Sequence, residues 1–140
     1  MKPAIVADTG PLVALFNAGD AHHAWAKASL GRISDPLFTS EAVLTETLFL
    51  LAPTRKSRAA FEEFWLEGGL RVDFDAQAQK EALVRLMRKY TDLPMSLADA
   101  SVVRMTETHS DAVVWTLDRH FQIYKRMGRQ TIPLFNSPWG

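Results

Sequence analysis

Four acidic residues stand where their side chains could do chemistry. Asp8 and Asp118 each close the most apolar run in their half of the chain, residues 4–7 and 112–117. Glu46 is the only charged residue between positions 43 and 52. Asp99 ends the sequence Ser96-Leu97-Ala98-Asp99. Carboxylates gathered in one crevice repel each other and raise one another's pKa. A divalent cation removes that conflict. Mg²⁺ and Mn²⁺ prefer oxygen ligands, and Mg²⁺ keeps several waters while using few carboxylates. The chain has no Cys, and no His stands at ligand spacing with the acids, so the set points to Mg²⁺ or Mn²⁺ rather than zinc. The usual work of such a site is cleaving a phosphodiester, with one or two ions activating water and stabilising the leaving oxygen.

Each acid also has a plainer reading. Asp8 and Asp118 could cap the helices that follow them. Ser96 and Asp99 have the form of a capping box, which still leaves Asp99 level with the crevice. For Glu46 the plainer reading is a salt bridge to an Arg, or a solvent-facing stripe with Glu46 at its centre; the helix around it is so apolar that it is expected to be largely buried, and a buried carboxylate needs a partner or a cation.

The elements that must position these residues follow from patterning. Residues 4–7 and 112–117 are continuous apolar runs, as in strands buried on both faces. Pro36 to Thr39 predicts a brief strand, and Leu70 to Phe74 alternates at period two. Thr131 to Phe135 reads as a last strand, at the edge because of Pro133. Helices are expected over residues 12–18, 21–30, 76–90 and 96–108, with a short one over 119–126. Ser40 caps a helix that ends before Pro53, and Thr54 opens another that ends at Gly68-Gly69. Strands alternating with helices predict one α/β domain over residues 1–140, a three-layer sandwich with a mostly parallel central sheet of about five strands. In such a sheet the strand C-termini share one edge, where ligands sit. If the first and fourth strands are adjacent, Asp8 and Asp118 face one crevice.

A chain of 140 residues needs no disulfide or metal staple to fold. Without Cys, a disulfide framework and thiol catalysis are excluded. Sixteen basic residues balance sixteen acidic ones, so contact with nucleic acid must be local. No secretory signal or membrane span is legible, and a soluble, cytoplasmic protein is expected.

Asp8-Thr9-Gly10-Pro11-Leu12-Val13-Ala14-Leu15, Thr39-Ser40-Glu41-Ala42-Val43-Leu44-Thr45-Glu46, Leu97-Ala98-Asp99-Ala100 and Thr116-Leu117-Asp118-Arg119-His120-Phe121 occur in order along the chain. Together they resemble the PIN domain family, and most of all the VapC-type toxins of bacterial type II toxin–antitoxin pairs. The resemblance covers essentially the whole chain. It implies a Mg²⁺- or Mn²⁺-dependent endoribonuclease whose catalytic and metal-binding acids are Asp8, Glu46, Asp99 and Asp118. Asp8 and Asp99 would ligate metal directly, Glu46 would bind metal or orient water, and Asp118 would complete the site. Thr9 and Thr116 match positions that hydrogen-bond these carboxylates. A cognate antitoxin, an RNA substrate and a homodimer are the implied partners. Many relatives carry a further acid near Ser96 or His120, which puts a second metal ion in question here.

Among the basic residues Arg119 is the best candidate for RNA, because it follows Asp118. His22 and His23 are adjacent, so on a helix they diverge by about 100° and suit one metal poorly; they read as surface residues. Phe61, Phe64 and Trp65 are core or dimer surface. Two other functions compete. A phosphotransfer domain with an Asp nucleophile would want a second acid beside it and a strand-end Lys, neither of which is present. A catalytically inactive RNA-binding or scaffold module of the same fold is the other.

Overall fold

The computed structural model describes residues 3–139. Four parallel strands form the central sheet: β1 (Ile5–Ala7), β2 (Leu37–Thr39), β3 (Leu70–Val72) and β4 (Val113–Trp115), in the order β3-β2-β1-β4. Val6 pairs with both Phe38 and Val114, so β1 is an interior strand. That accounts for its unbroken apolar run, since no position on it faces water freely. Helices flank the sheet: α1 (Thr9–Phe16), α2 (His23–Leu30), α3 (Glu41–Leu51), α4 (Arg55–Leu66), α5 (Lys80–Lys89) and α6 (Leu97–Thr108). The α6 helix packs on β1 and β4, and its Val102, Val103 and Met105 are buried with Val6, Val114 and Trp115.

Local chemistry sets the boundaries. Ser40 caps α3 by accepting the Val43 N–H at 3.3 Å. The helix ends at Leu51, two residues ahead of Pro53. Residues 75–79 are turns rather than helix, because Asp75 Oδ1 draws in the Ala78 N–H at 3.1 Å. Gly68 (φ 91°) reverses the chain from α4 into β3, a left-handed conformation that suits glycine.

Three expectations change. The fifth strand is reduced to one parallel bridge between Val114 and Leu134. Pro133 has no N–H to extend that ladder, and Thr131 is drawn instead into an antiparallel hairpin of β5 (Lys125–Arg126) and β6 (Gln130–Thr131). The helix expected over 119–126 is only a 3₁₀ turn, Arg119–Gln122. Beyond it, the Arg126 guanidinium donates to the Thr106 carbonyl through Nε at 3.1 Å and Nη2 at 2.5 Å, tying the hairpin to the last turn of α6.

The third change concerns α3. Its apolar residues do not all point inward: Val43, Leu44 and Leu51 are buried, but Phe49 is 75% exposed and Leu50 54% exposed. Glu46 is therefore exposed rather than enclosed. On α4, Phe61 is in the core against Phe16, Phe64 is half-buried beside it, and Trp65 and Leu66 are exposed.

Candidate active site

The parallel sheet delivers Asp8 and Asp118 to the same edge. The Asp8 N–H donates to the Trp115 carbonyl at 3.0 Å, carrying the β1–β4 pairing one residue past the end of β1. The Asp8 side chain makes no capping bond to α1, so the carboxylate is free of that duty. Asp99 arrives at this edge on the first turn of α6, whose capping box is complete: Ser96 Oγ accepts the Asp99 N–H at 3.0 Å and Asp99 Oδ2 accepts the Ser96 N–H at 3.1 Å. Asp118 opens the 3₁₀ turn by accepting the His120 N–H at 2.9 Å.

A regularity runs through the four acids. Asp8 uses Oδ2, which accepts the Thr116 hydroxyl at 2.7 Å. Glu46 uses Oε2, which accepts the Thr9 hydroxyl at 2.9 Å. Asp99 uses Oδ2, which accepts the Ser96 N–H and, at 3.3 Å, the Tyr124 hydroxyl. Asp118 uses Oδ1 for the His120 N–H, and His120 Nδ1 lies 3.5 Å from the same oxygen. Each carboxylate thus has one oxygen held by the chain. The other accepts no hydrogen bond from a described side chain.

Electrostatics link three of the four. Asp8 is buried, and burial pushes its pKa up from 3.8 to about 7. The negative charges of Asp99 and Asp118 push it the same way, while the Thr116 hydroxyl and the Thr9 N–H oppose them. Glu46 joins the group through Thr9, the residue after Asp8.

Among the described residues no three acidic or imidazole groups close into a cage around an ion. The donor set nevertheless suits a hard cation that keeps much of its water, since every donor is a carboxylate oxygen. A soft or tetrahedral metal finds neither sulfur nor converging imidazoles here.

The other candidates fall as follows. Thr9 and Thr116 each bond a carboxylate, and Thr116 Oγ1 also accepts the Asp118 N–H at 2.9 Å. Arg119 is exposed, with its guanidinium 5.0 Å from the Trp139 ring centre. His22 is exposed beside Asp20, but His23 is half-buried with Nδ1 2.7 Å from the Ala14 carbonyl oxygen, so it is not a surface residue. Sequence reasoning missed Tyr124. Its only signal was its own type: a tyrosine among Phe121 and Ile123 needs a partner for its hydroxyl if it is buried.

Two cavities lie at opposite ends of the strands, and neither is lined by any of the four acids. One of about 590 Å³, lined by Pro36, Phe38, Arg71 and Asp111 among others, lies at the N-terminal ends of the strands and holds none of the four acids. Another, of about 530 Å³, is lined by Ser40, Thr45, Phe74, Asp75 and Leu97 at the C-terminal edge the acids share.

The sequence profile of the PIN domain matches residues 5–127. Ribonuclease VapC26 of Mycobacterium tuberculosis (strain ATCC 25618 / H37Rv) is 28% identical over 128 residues, which span 89% of this chain and 94% of that one. The crystal structure of VapC20 of Mycobacterium tuberculosis, described as a sarcin–ricin loop cleaving toxin, superposes with a TM-score of 0.71 and 27% identity, over 83% of this chain and 91% of that one.

Proposed function

The chain belongs to the PIN domain family, and from that premise we propose that it is a Mg²⁺- or Mn²⁺-dependent endoribonuclease, the toxin of a toxin–antitoxin pair. The likeness to VapC26 and VapC20 supports the activity. The observation that carries the site is the arrangement of Asp8, Glu46, Asp99 and Asp118, each with one oxygen held by a hydrogen bond from the chain.

In this reading Asp8 and Asp99 would hold the ion, with Asp118 completing the site. When bound, the ion would supply charge stabilisation for the phosphodiester and lower the pKa of water. Thr116 keeps the Asp8 carboxylate turned, and the raised pKa of Asp8 means that it gives up a proton as a cation is taken up. Glu46, exposed at the rim and held by Thr9, orients the attacking water. The cavity beside Phe74 and Leu97 offers an apolar wall for an unstacked base, and Arg119 a cation for the backbone. An antitoxin and a second copy of the chain are the expected partners, with exposed Phe49, Leu50 and Leu66 as apolar surface for either. No described helix is long and apolar enough to cross a membrane.

The test is cleavage of RNA by the purified chain, using a pool of structured and single-stranded molecules that includes a sarcin–ricin loop. Cutting should require Mg²⁺ or Mn²⁺, stop in EDTA, and be lost in Asp8→Asn and Asp99→Asn. The absence of a closed ion cage is what favours the alternative, an inactive RNA-binding scaffold. That alternative predicts RNA binding indifferent to metal and to both substitutions.

A further inference from the structure

Tyr124 is fully buried. Its ring packs at 5.0 Å from the Tyr90 centroid and 5.1 Å from Phe121, both edge-on. A phenylalanine would satisfy that packing without placing a polar group in the core, so the hydroxyl calls for a separate reason. The hydroxyl donates to Asp99 Oδ2 at 3.3 Å, the oxygen that already accepts the Ser96 N–H.

The same residue reaches the other side of the site. The Tyr124 N–H donates to the His120 carbonyl at 2.9 Å, and the His120 N–H donates to Asp118 Oδ1 at 2.9 Å. One short turn therefore connects the carboxylates of Asp99 and Asp118.

We propose that Tyr124 is a positioning residue: its hydroxyl, with the Ser96 N–H, occupies Asp99 Oδ2 so that Oδ1 faces the reaction site, at a separation from Asp118 set by the shared turn. This inference rests on the metal-site reading above. Partners that orient metal ligands typically change metal affinity or activity 10- to 100-fold when removed.

Tyr124→Phe deletes the hydroxyl and keeps the ring. Mn²⁺ binding to the full-length chain, measured by calorimetry without RNA, should weaken by about tenfold or more. With RNA, kcat should fall while KM stays near the wild-type value. Tyr90→Phe is the control from the same aromatic cluster. Its hydroxyl accepts the Lys125 N–H at 2.9 Å and touches no acid of the site, so it should lower the melting temperature and leave Mn²⁺ affinity unchanged. In an Asp99→Asn background, Tyr124→Phe should have little further effect on Mn²⁺ binding, because the two changes act on one interaction.

Equal Mn²⁺ affinity in wild type and Tyr124→Phe would overturn the proposal while leaving the nuclease reading intact. So would an equal loss in Tyr90→Phe, or a Tyr124→Phe chain that fails to fold. A wild-type chain that takes up no Mn²⁺ would remove both readings together.

Discussion

The Thr116 hydroxyl donates to Asp8 Oδ2 at 2.7 Å, joining residues 108 positions apart. The same Thr116 oxygen accepts the Asp118 N–H. One side chain just past the end of β4 thus holds an acid just past the end of β1 and the backbone of a second acid two residues on. Removing it should disturb both. Thr116→Val should cost about 1–3 kcal/mol, because a buried carboxylate oxygen loses its partner. It should also raise the Asp8 pKa further, since the lost bond favoured the ionised form, and move the rising limb of the cleavage profile to higher pH. Thr116→Ser should restore the profile. Chemical denaturation and a pH series check the two effects separately.

Asp8 makes the metal-free chain sensitive to pH. Its pKa is about 7 when folded and 3.8 in the unfolded reference. Between those values the unfolded chain binds fewer protons, so stability falls as pH rises from about 4 to 7 and levels off above. The full effect is on the order of 4 kcal/mol. Asp8→Asn removes it: without metal, the variant should melt above wild type at pH 8 and close to it at pH 4. Saturating Mn²⁺ should reverse the order at pH 8, because only the wild type gains from the ion. Thermal melts across pH, with and without Mn²⁺, decide it.

Asp99 combines capping and chemistry, and the two can be separated. Ser96→Ala removes the hydroxyl that caps α6 and should cost about 1 kcal/mol, with cleavage reduced only modestly. Asp99→Asn can still accept the Ser96 N–H, so it should change stability little and abolish cleavage. Paired denaturation and cleavage measurements would show the two losses falling on different variants.

Thr9 should matter to Glu46 alone. Thr9→Ala frees the Glu46 carboxylate from its bond at 2.9 Å. Cleavage should drop by about tenfold, and the Mn²⁺ affinity set by Asp8 and Asp99 should hold. Thr9→Ser should keep most of the activity.

Gly69 tests the packing of α4. A Cβ built there overlaps the ring of Phe64, which is itself packed against Phe16. Gly69→Ala should cost about 1–3 kcal/mol, as overpacking does, with no change in metal dependence. Denaturant titration gives the first value and cleavage with and without EDTA the second.

Much of this site was legible from residue types because parallel strands advertise themselves. β1 is an interior strand and stays apolar to its last residue, so the acid that follows, Asp8, marks the edge; Asp118 follows the apolar run of β4 after Thr116 and Leu117. The capping box of Asp99 was legible as a helix start, and its candidacy for the site came from the resemblance. The environment of Glu46 was not legible: Leu48-Phe49-Leu50-Leu51 is apolar at every position and carries no phase, and α3 turns Phe49 and Leu50 outward with Glu46 exposed beside the rim. Tyr124 was also hidden, since its partner Asp99 lies 25 residues back and meets it only through tertiary packing. The hairpin escaped because Met127 (φ 53°) takes a left-handed conformation that non-glycine residues seldom adopt.

The order of strands in the sheet also sets a timetable. β1 is made first, yet it lies between β2 and β4, and β4 follows it by more than a hundred residues. At 5–20 residues per second of synthesis, roughly 6–23 s separate the emergence of Asp8 from that of Tyr124. Until residues 113–118 have been made, Asp8 lacks Thr116 and shares no edge with Asp118; Asp99 waits for Tyr124 as well. The four carboxylates are thus brought together only after nearly the whole chain has been made.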